Sequence, residues 1–219
     1  MAQTAAGDGA HSLMVSWAYA RYHRGEQATP SIGRYRARMF VLRRSAARVL
    51  LIDNDSKVLL IRAHDPQTPD APAWWELPGG GIDPGERSEA CCTRELAEEV
   101  GVRTAVVGPI IWTQHCKFTF AGWKFDQDEV IHVARCETNP PIHGTALESL
   151  EVLAFESVKW WTLEDLLAND EPTLPPAMRS LLPDVIDRFG QSTLDESIAA
   201  FEQSTQPPLN ITDEANWTW

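Results

Sequence analysis

The chain has 219 residues, 43% of them hydrophobic and 23% charged, which suits a water-soluble globular domain able to bury a sizeable core. Its 31 acidic residues against 19 basic ones give a net charge of −12, and a field of that sign disfavours non-specific binding to nucleic acid or to anionic membranes. No run approaches the roughly 18 apolar residues that span a bilayer, and the first ten residues lack the charged and apolar regions of a signal peptide, so the expected compartment is the cytosol.

Residues 1 to about 33 mix Ala, Gly, Ser and Gln with a short apolar patch and read as an N-terminal extension. Apolar runs of strand length follow at Met39 to Leu42, Val49 to Ile52 and Val58 to Ile61, the last two flanking the turn Asn54-Asp55-Ser56 as a hairpin. His64 to Ala73, with three prolines and two aspartates, reads as a loop, and Trp74 to Leu77 as a short strand leaving it. Ser88 is placed to cap a helix that runs to about Val100, where Gly101 stops it. Two longer strands, Val106 to Lys117 and Asp128 to Cys136, are expected to join around Gly122, followed by a strand at Ser157 to Trp161. Thr162 opens a short helix, Pro175-Pro176 opens another that ends near Gly190, and a polar tail follows Ser192. Strands around a central helix, with helices at the end, predict a mixed α/β layered domain over 34–190, between the extension 1–33 and a C-terminal tail 191–219. The four cysteines lack CxxC spacing and read as small, reduced core residues.

The chemistry concentrates in Leu77-Pro78-Gly79-Gly80-Gly81-Ile82-Asp83-Pro84-Gly85-Glu86 and, beyond it, Arg94-Glu95-Leu96-Ala97-Glu98-Glu99-Val100-Gly101-Val102. At about 100° per residue, Glu98 and Glu99 lie about −60° and +40° from Glu95, so three carboxylates crowd one helix face while Leu96 and Val100 turn towards a sheet. Like charges at that spacing destabilise a bare helix, so the arrangement calls for a counterion. Hard oxygen donors with no His or Cys among them suit Mg²⁺ or Mn²⁺, and such ions use their remaining positions on phosphate oxygens. Three glycines allow a close backbone approach, and Pro84-Gly85 turns the chain so that Glu86 returns beside the helix. No GKS or GKT ending is present, which excludes a P-loop.

The pattern Gly80-x5-Glu86-x7-Arg94-Glu95-Leu96-x-Glu98-Glu99-x-Gly101-Val102 resembles the Nudix box at every defined position. Trp75-Glu76-Leu77-Pro78-Gly79 is similar to that family's usual lead-in, and Trp160 to Leu166 to its end of domain, so the resemblance covers about Ala46 to Phe189. It implies a Nudix-type α/β/α sandwich with a mixed sheet that hydrolyses a phosphoanhydride in a nucleoside diphosphate linked to another group. That substrate class takes in nucleotide sugars, compounds like ADP-ribose, and nucleoside triphosphates including oxidised ones. Carried over residue by residue, Glu98 and Glu99 would ligate the metal, Glu95 would be a further ligand or the general base, and a carbonyl at Gly79 or Gly80 would complete the shell. Arg94 would orient a box glutamate, Glu86 would support the metal or its waters, and an acid from outside the box would come from Glu151 or Glu148. The resemblance also makes a homodimer an expectation. A non-catalytic domain that senses a nucleotide or binds a protein is the alternative.

Trp75, Phe118, Phe120 and Arg48 are the expected substrate contacts, although aromatic residues at strand spacing also suit a core or a cleft wall. Arg34, Arg36, Arg38, Arg43, Arg44 and Arg48 form one basic cluster, which reads as a solvated edge strand or as a phosphate-steering rim or dimer contact. His132, alternating within a strand, reads as packing or surface and not as a ligand.

Overall fold

Period-two alternation sorts Phe125, Gln127, Glu129, Ile131 and Val133 onto one side of a strand and Asp126, Asp128, Val130 and His132 onto the other, and the fold is built on that division. The structure, a computed structural model, describes residues 40–138, 149–190 and 193–213, without the side chains of 149–151. The chain divides into Met1–Arg38, which lies outside the described residues and takes Arg34, Arg36 and Arg38 of the basic cluster with it, and Met39–Trp219.

The described strands are β1 (Val41–Ile52), β2 (Val58–Ala63), β3 (Trp74–Glu76), β4 (Gly79–Gly81), β5 (Val106–Phe120), β6 (Trp123–Arg135), β7 (Phe155–Trp161), β8 (Thr173–Leu174) and β9 (Leu209–Asn210). They form one mixed sheet in the order β8-β3-β2-β1-β6-β5-β9, with β4 also on β1 and β7 also on β2. The helices are α1 (Ser88–Glu99), α2 (Ser149–Ala154), α3 (Leu163–Ala168), α4 (Met178–Phe189) and α5 (Leu194–Gln203).

On one face of the sheet Leu50, Ile52, Ile131, Val133, Trp75 and Trp161 pack against α4 through Leu182, Ile186 and Phe189. On the other, Ala47, Val49, Leu51 and Ala134 meet Cys91, Cys92, Leu96 and Val100 at α1. This is the expected α/β/α layering. Fully burying an aliphatic side chain contributes about 1.5–3 kcal/mol, whereas like charges at helical spacing cost about 0.2–0.5 kcal/mol per pair. Packing on the sheet therefore holds α1 in place despite its acidic face.

Several boundaries differ from the sequence reading for identifiable reasons. Val41-Leu42 and Val49 to Ile52 belong to one continuous β1, because parallel pairing with β6 runs from Val41↔Lys124 to Ile52↔Arg135 and gives Arg43, Arg44 and Arg48 polar partners across it; Phe40 precedes the strand and Met39 lies outside the described residues. The β5–β6 hairpin is longer than expected and closes on the two-residue turn Ala121-Gly122, with φ of 49° and 79° and Phe120 paired to Trp123. Ser88 does not cap α1: the N-cap is Arg87, without a side-chain bond, and the Ser88 hydroxyl lies 2.9 Å from His132 Nε2. His132 Nδ1 is 2.8 Å from the Gly108 carbonyl, which accepts its proton, so Nε2 accepts from Ser88 and the imidazole is a buried packing group, as its position in the strand suggested. Thr162 does cap α3, accepting from Asp165 N at 3.1 Å. The largest difference is the tail. Residues read as lying outside the sandwich supply α5, whose Phe201 packs on Phe189, and β9, which pairs with β5 at Trp112↔Leu209 and Thr113↔Asn210.

Candidate active site

The glycine loop lies against β1 so closely that at Gly79 a side chain would not fit. Gly79 has φ of +143°, and a Cβ there would fall 2.3 Å from the Ala47 carbonyl oxygen. A Cβ on Gly80 would fall 2.4 Å from Glu95 Oε1, so the missing side chain is what lets that carboxylate rest on the loop. Glu99 Oε2 accepts the Gly79 N–H at 2.8 Å, tying the end of α1 to the start of β4.

Arg94 organises the other box acids. Its Nε and Nη2 donate to the two oxygens of Glu86, both at 3.0 Å, while Nη1 donates to Glu95 Oε1 at 2.7 Å and to Glu98 Oε2 at 3.2 Å. Nη2 also reaches the Gly81 carbonyl at 3.0 Å. Arg94 thus supplies part of the counterion that the crowded acidic face calls for. The hydrogen bond from Arg94 is the main cause that holds the Glu86 carboxyl below its usual pKa, and the same bond raises that of Arg94.

The donor chemistry fits a hard divalent cation, and the cradle at Gly80 gives Glu95 room to serve it. Among the described residues, however, no three His, Cys, Asp or Glu side chains are already grouped so as to hold an ion. Arg94 stands between Glu86, Glu95 and Glu98, and Glu99 is turned onto Gly79. The Gly80 carbonyl lies 3.8 Å from Cys91 Sγ.

A second acid, missed in the sequence reading, lies in β6. Glu129 is 4% exposed and accepts from Arg48 Nε at 2.8 Å, from Gln127 Nε2 at 2.5 Å and from the Gln114 amide. Burial alone would raise its pKa, but the charge and hydrogen bond of Arg48, with the two amides, outweigh that and keep the carboxyl below the usual range. It shares its face of β6 with Phe125, Gln127, Ile131 and Val133, so the visible signal was a polar pair within the inward-facing alternation. Of the acids expected from outside the box, Glu148 lies outside the described residues, and only the backbone of Glu151, in α2, is described.

The expected substrate contacts separate. Trp75 is 5% exposed, packed edge-on against Trp161 at 4.9 Å with its Nε1 donating to Glu171 Oε2 at 2.6 Å; it is a core residue, not a cleft wall. Arg48 is engaged by Glu129 through Nε at 2.8 Å and, through Nη1, by the Leu77 carbonyl at 2.9 Å and Glu76 at 3.8 Å, so it braces β1 against β6 and the residues leading into the glycine loop. Phe118 stacks on Phe125 at 4.9 Å and 7°, and Phe120 meets Trp74 edge-on at 6.4 Å; both are half-buried and belong to the sheet face that carries Glu129. A cavity of about 570 Å³ is lined among others by Ser88, Thr113, His115, Asp128, Asn210 and Thr212. It lies at the first residue of α1 and includes none of the box acids.

The sequence profile of the NUDIX domain matches residues 42–185. A nucleoside triphosphatase NudI of Escherichia coli O1:K1 / APEC is 40% identical over 63 residues, which is 29% of this chain and 44% of that protein, so the chain spans less than half the length of this curated relative. The crystal structure of a MutT protein from Methanosarcina mazei Go1 aligns over 68% of this chain and 96% of its own, with 20% identity and a TM-score of 0.47. With the family profile covering about two thirds of the residues, the chain belongs to the NUDIX domain family.

Proposed function

We propose that this protein is a divalent-metal-dependent pyrophosphohydrolase that cleaves a phosphoanhydride in a nucleoside diphosphate linked to a further group, the class that includes nucleoside triphosphates. The observation that carries the reading is the complete set of box carboxylates, Glu86, Glu95, Glu98 and Glu99, gathered by Arg94 and Gly79 against a loop that has no room for side chains at Gly79 and Gly80. The NudI relative, named a nucleoside triphosphatase, agrees with the substrate class.

Glu95, Glu98 and Glu99 would hold the metal. A bound Mg²⁺ or Mn²⁺ supplies Lewis-acid polarisation of phosphate oxygens and lowers the pKa of a coordinated water. The chain's own groups do the rest. Arg94, through its two-pronged hold on Glu86, would fix the exit of the loop relative to α1 whether or not its bonds to Glu95 and Glu98 give way to a metal. A box carboxylate, Glu95 foremost, accepts the proton of the attacking water. The Glu129–Arg48 pair, buried and ion-paired, ties β1 to β6 beside the entry to the glycine loop.

The test is turnover of a nucleotide panel with Mg²⁺ or Mn²⁺, with product identification. Hydrolysis at a P–O–P bond that stops on chelation supports the proposal. Absence of turnover across the panel would transfer the domain to ligand sensing or protein binding.

A further inference from the structure

The basic cluster of β1 resolves into three arginines with three different fates. Arg43 is 81% exposed on its side chain and pairs with Asp126 at 3.2 Å, on the α1 face of the sheet. Arg48 is engaged by Glu129, Glu76 and the Leu77 carbonyl. Arg44, between them in sequence and on the same face as Arg48, differs from both. Its Nε donates to Gln127 Oε1 at 2.5 Å, and its guanidinium carbon lies 4.9 Å from the centre of the Phe125 ring. Among the described residues no carboxylate lies within ion-pair distance of it, and Nη1 and Nη2 donate to no protein acceptor. Yet the side chain lies against the glycine loop: a Cβ on Gly81 would be 3.6 Å from Arg44 Nη1, and the fields of Glu95 and Glu129 both reach it.

We propose that Arg44 is the substrate's phosphate-gripping residue, presenting Nη1 and Nη2 to non-bridging oxygens of the phosphoanhydride on the β1 side of the glycine loop. This rests on the phosphoanhydride reading of the site and adds to it a named anion contact. Three features prepare the side chain for that task. The bond to Gln127, itself held by Glu129, fixes the fork's stem, so little rotamer freedom remains to be lost on binding. Contact with Phe125 supports the guanidinium plane and leaves its outer edge for hydrogen bonding. Burial, followed by repulsion from Arg48, works against the charge of Arg44, and an arriving anion relieves both effects. The arginine remains protonated throughout, so the contact persists across the working pH range.

The experiment compares wild type, Arg44→Ala, Arg44→Lys and the neighbouring Arg43→Ala in two assays: KM and kcat on the best hydrolysed nucleotide, and calorimetric binding of inorganic pyrophosphate with Mg²⁺. Removing a charge-assisted, two-pronged contact is expected to weaken binding and raise KM about tenfold or more, with a smaller change in kcat. Arg44→Lys is expected to fall between, and Arg43→Ala to stay within about twofold. Should Arg44→Ala not fold, Arg44→Gln serves in its place, since it keeps the apolar stem. Arg44 variants with wild-type KM and pyrophosphate affinity would overturn the assignment while leaving the hydrolase reading intact. A wild type that binds pyrophosphate through Arg44 but hydrolyses nothing would uphold the assignment and remove the hydrolase. A wild type that neither binds nor hydrolyses overturns both.

Discussion

Arg94 and Glu86 form a two-pronged ion pair in which Nε and Nη2 of the guanidinium each lie 3.0 Å from a different oxygen of the carboxylate. They lie eight positions apart, with Glu86 just after the Pro84-Gly85 turn and Arg94 within the helix, so the pair clamps the exit of the glycine loop to the middle of α1. Its pH dependence follows from Glu86. The carboxyl is held below its ordinary value of 4.5, chiefly by the hydrogen bond from Arg94. A depressed folded pKa gives stability that is fully present above the ordinary value and is lost as pH falls through the folded one. Glu86→Gln is therefore expected to lower the melting temperature at pH 7 by the equivalent of about 1 kcal/mol, a modest figure because water screens a partly exposed pair. The gap to wild type is expected to narrow below pH 4.5. Melting curves at a series of pH values check this, and a gap that persists at the acid end would contradict it.

Glu98→Gln and Glu99→Gln are each expected to weaken metal binding and lower kcat by about two orders of magnitude or more, the scale of lost electrostatic stabilisation at a preorganised site. Both variants are expected to fold. The amide introduced by Glu99→Gln retains an oxygen for the Gly79 N–H, and Glu98→Gln weakens only one of several Arg94 contacts. Near-wild-type rates at saturating metal would remove these residues from the metal site.

Glu129→Leu leaves the Arg48 guanidinium without its closest counterion, and breaking a buried pair from one side costs about 3–5 kcal/mol. The paired change Glu129→Leu/Arg48→Leu is expected to cost less than the sum of the single changes, because neither charge is then stranded. Urea unfolding of the four proteins measures the coupling, and simple additivity would show that the pair does not act as a unit.

All four cysteines are expected to resist alkylation in the folded protein. Burial first, then Glu95, pushes the Cys91 thiol up to about 12; burial with Glu129 does the same for Cys116, and burial with Asp53 for Cys136. Burial also raises Cys92. Thiol titration at pH 8 is expected to report negligible fast labelling when native and all four groups in urea. A rapidly labelled native cysteine would mark a reactive thiol.

The box was legible because its acids, Arg94 and glycines fall within 23 consecutive residues at helical and turn spacing, where local geometry decides the outcome. Thr162 and the β1–β2 hairpin were legible for the same reason. What escaped depended on distant partners. Glu129 gains its burial from Arg48, which lies 81 positions away, and Trp75 turns inward because β2 and Trp161 receive it. The strand at Leu209–Asn210 is two residues long and exists only through pairing with β5, which no local pattern announces. Arg94 was expected to orient one glutamate, but its reach to three acids depends on how the loop returns to α1.

The most direct test of the central claim follows the phosphorus nuclei themselves. A nucleoside triphosphate incubated with the protein and Mg²⁺ and monitored by ³¹P NMR is expected to lose its bridged β-phosphate resonance as the P–O–P bond is cleaved. Chelator is expected to stop the reaction, and Glu98→Gln to slow it by about two orders of magnitude or more. Bridged resonances that persist unchanged with wild type and Mg²⁺, for this and for nucleotides of the diphosphate-linked class, would contradict it.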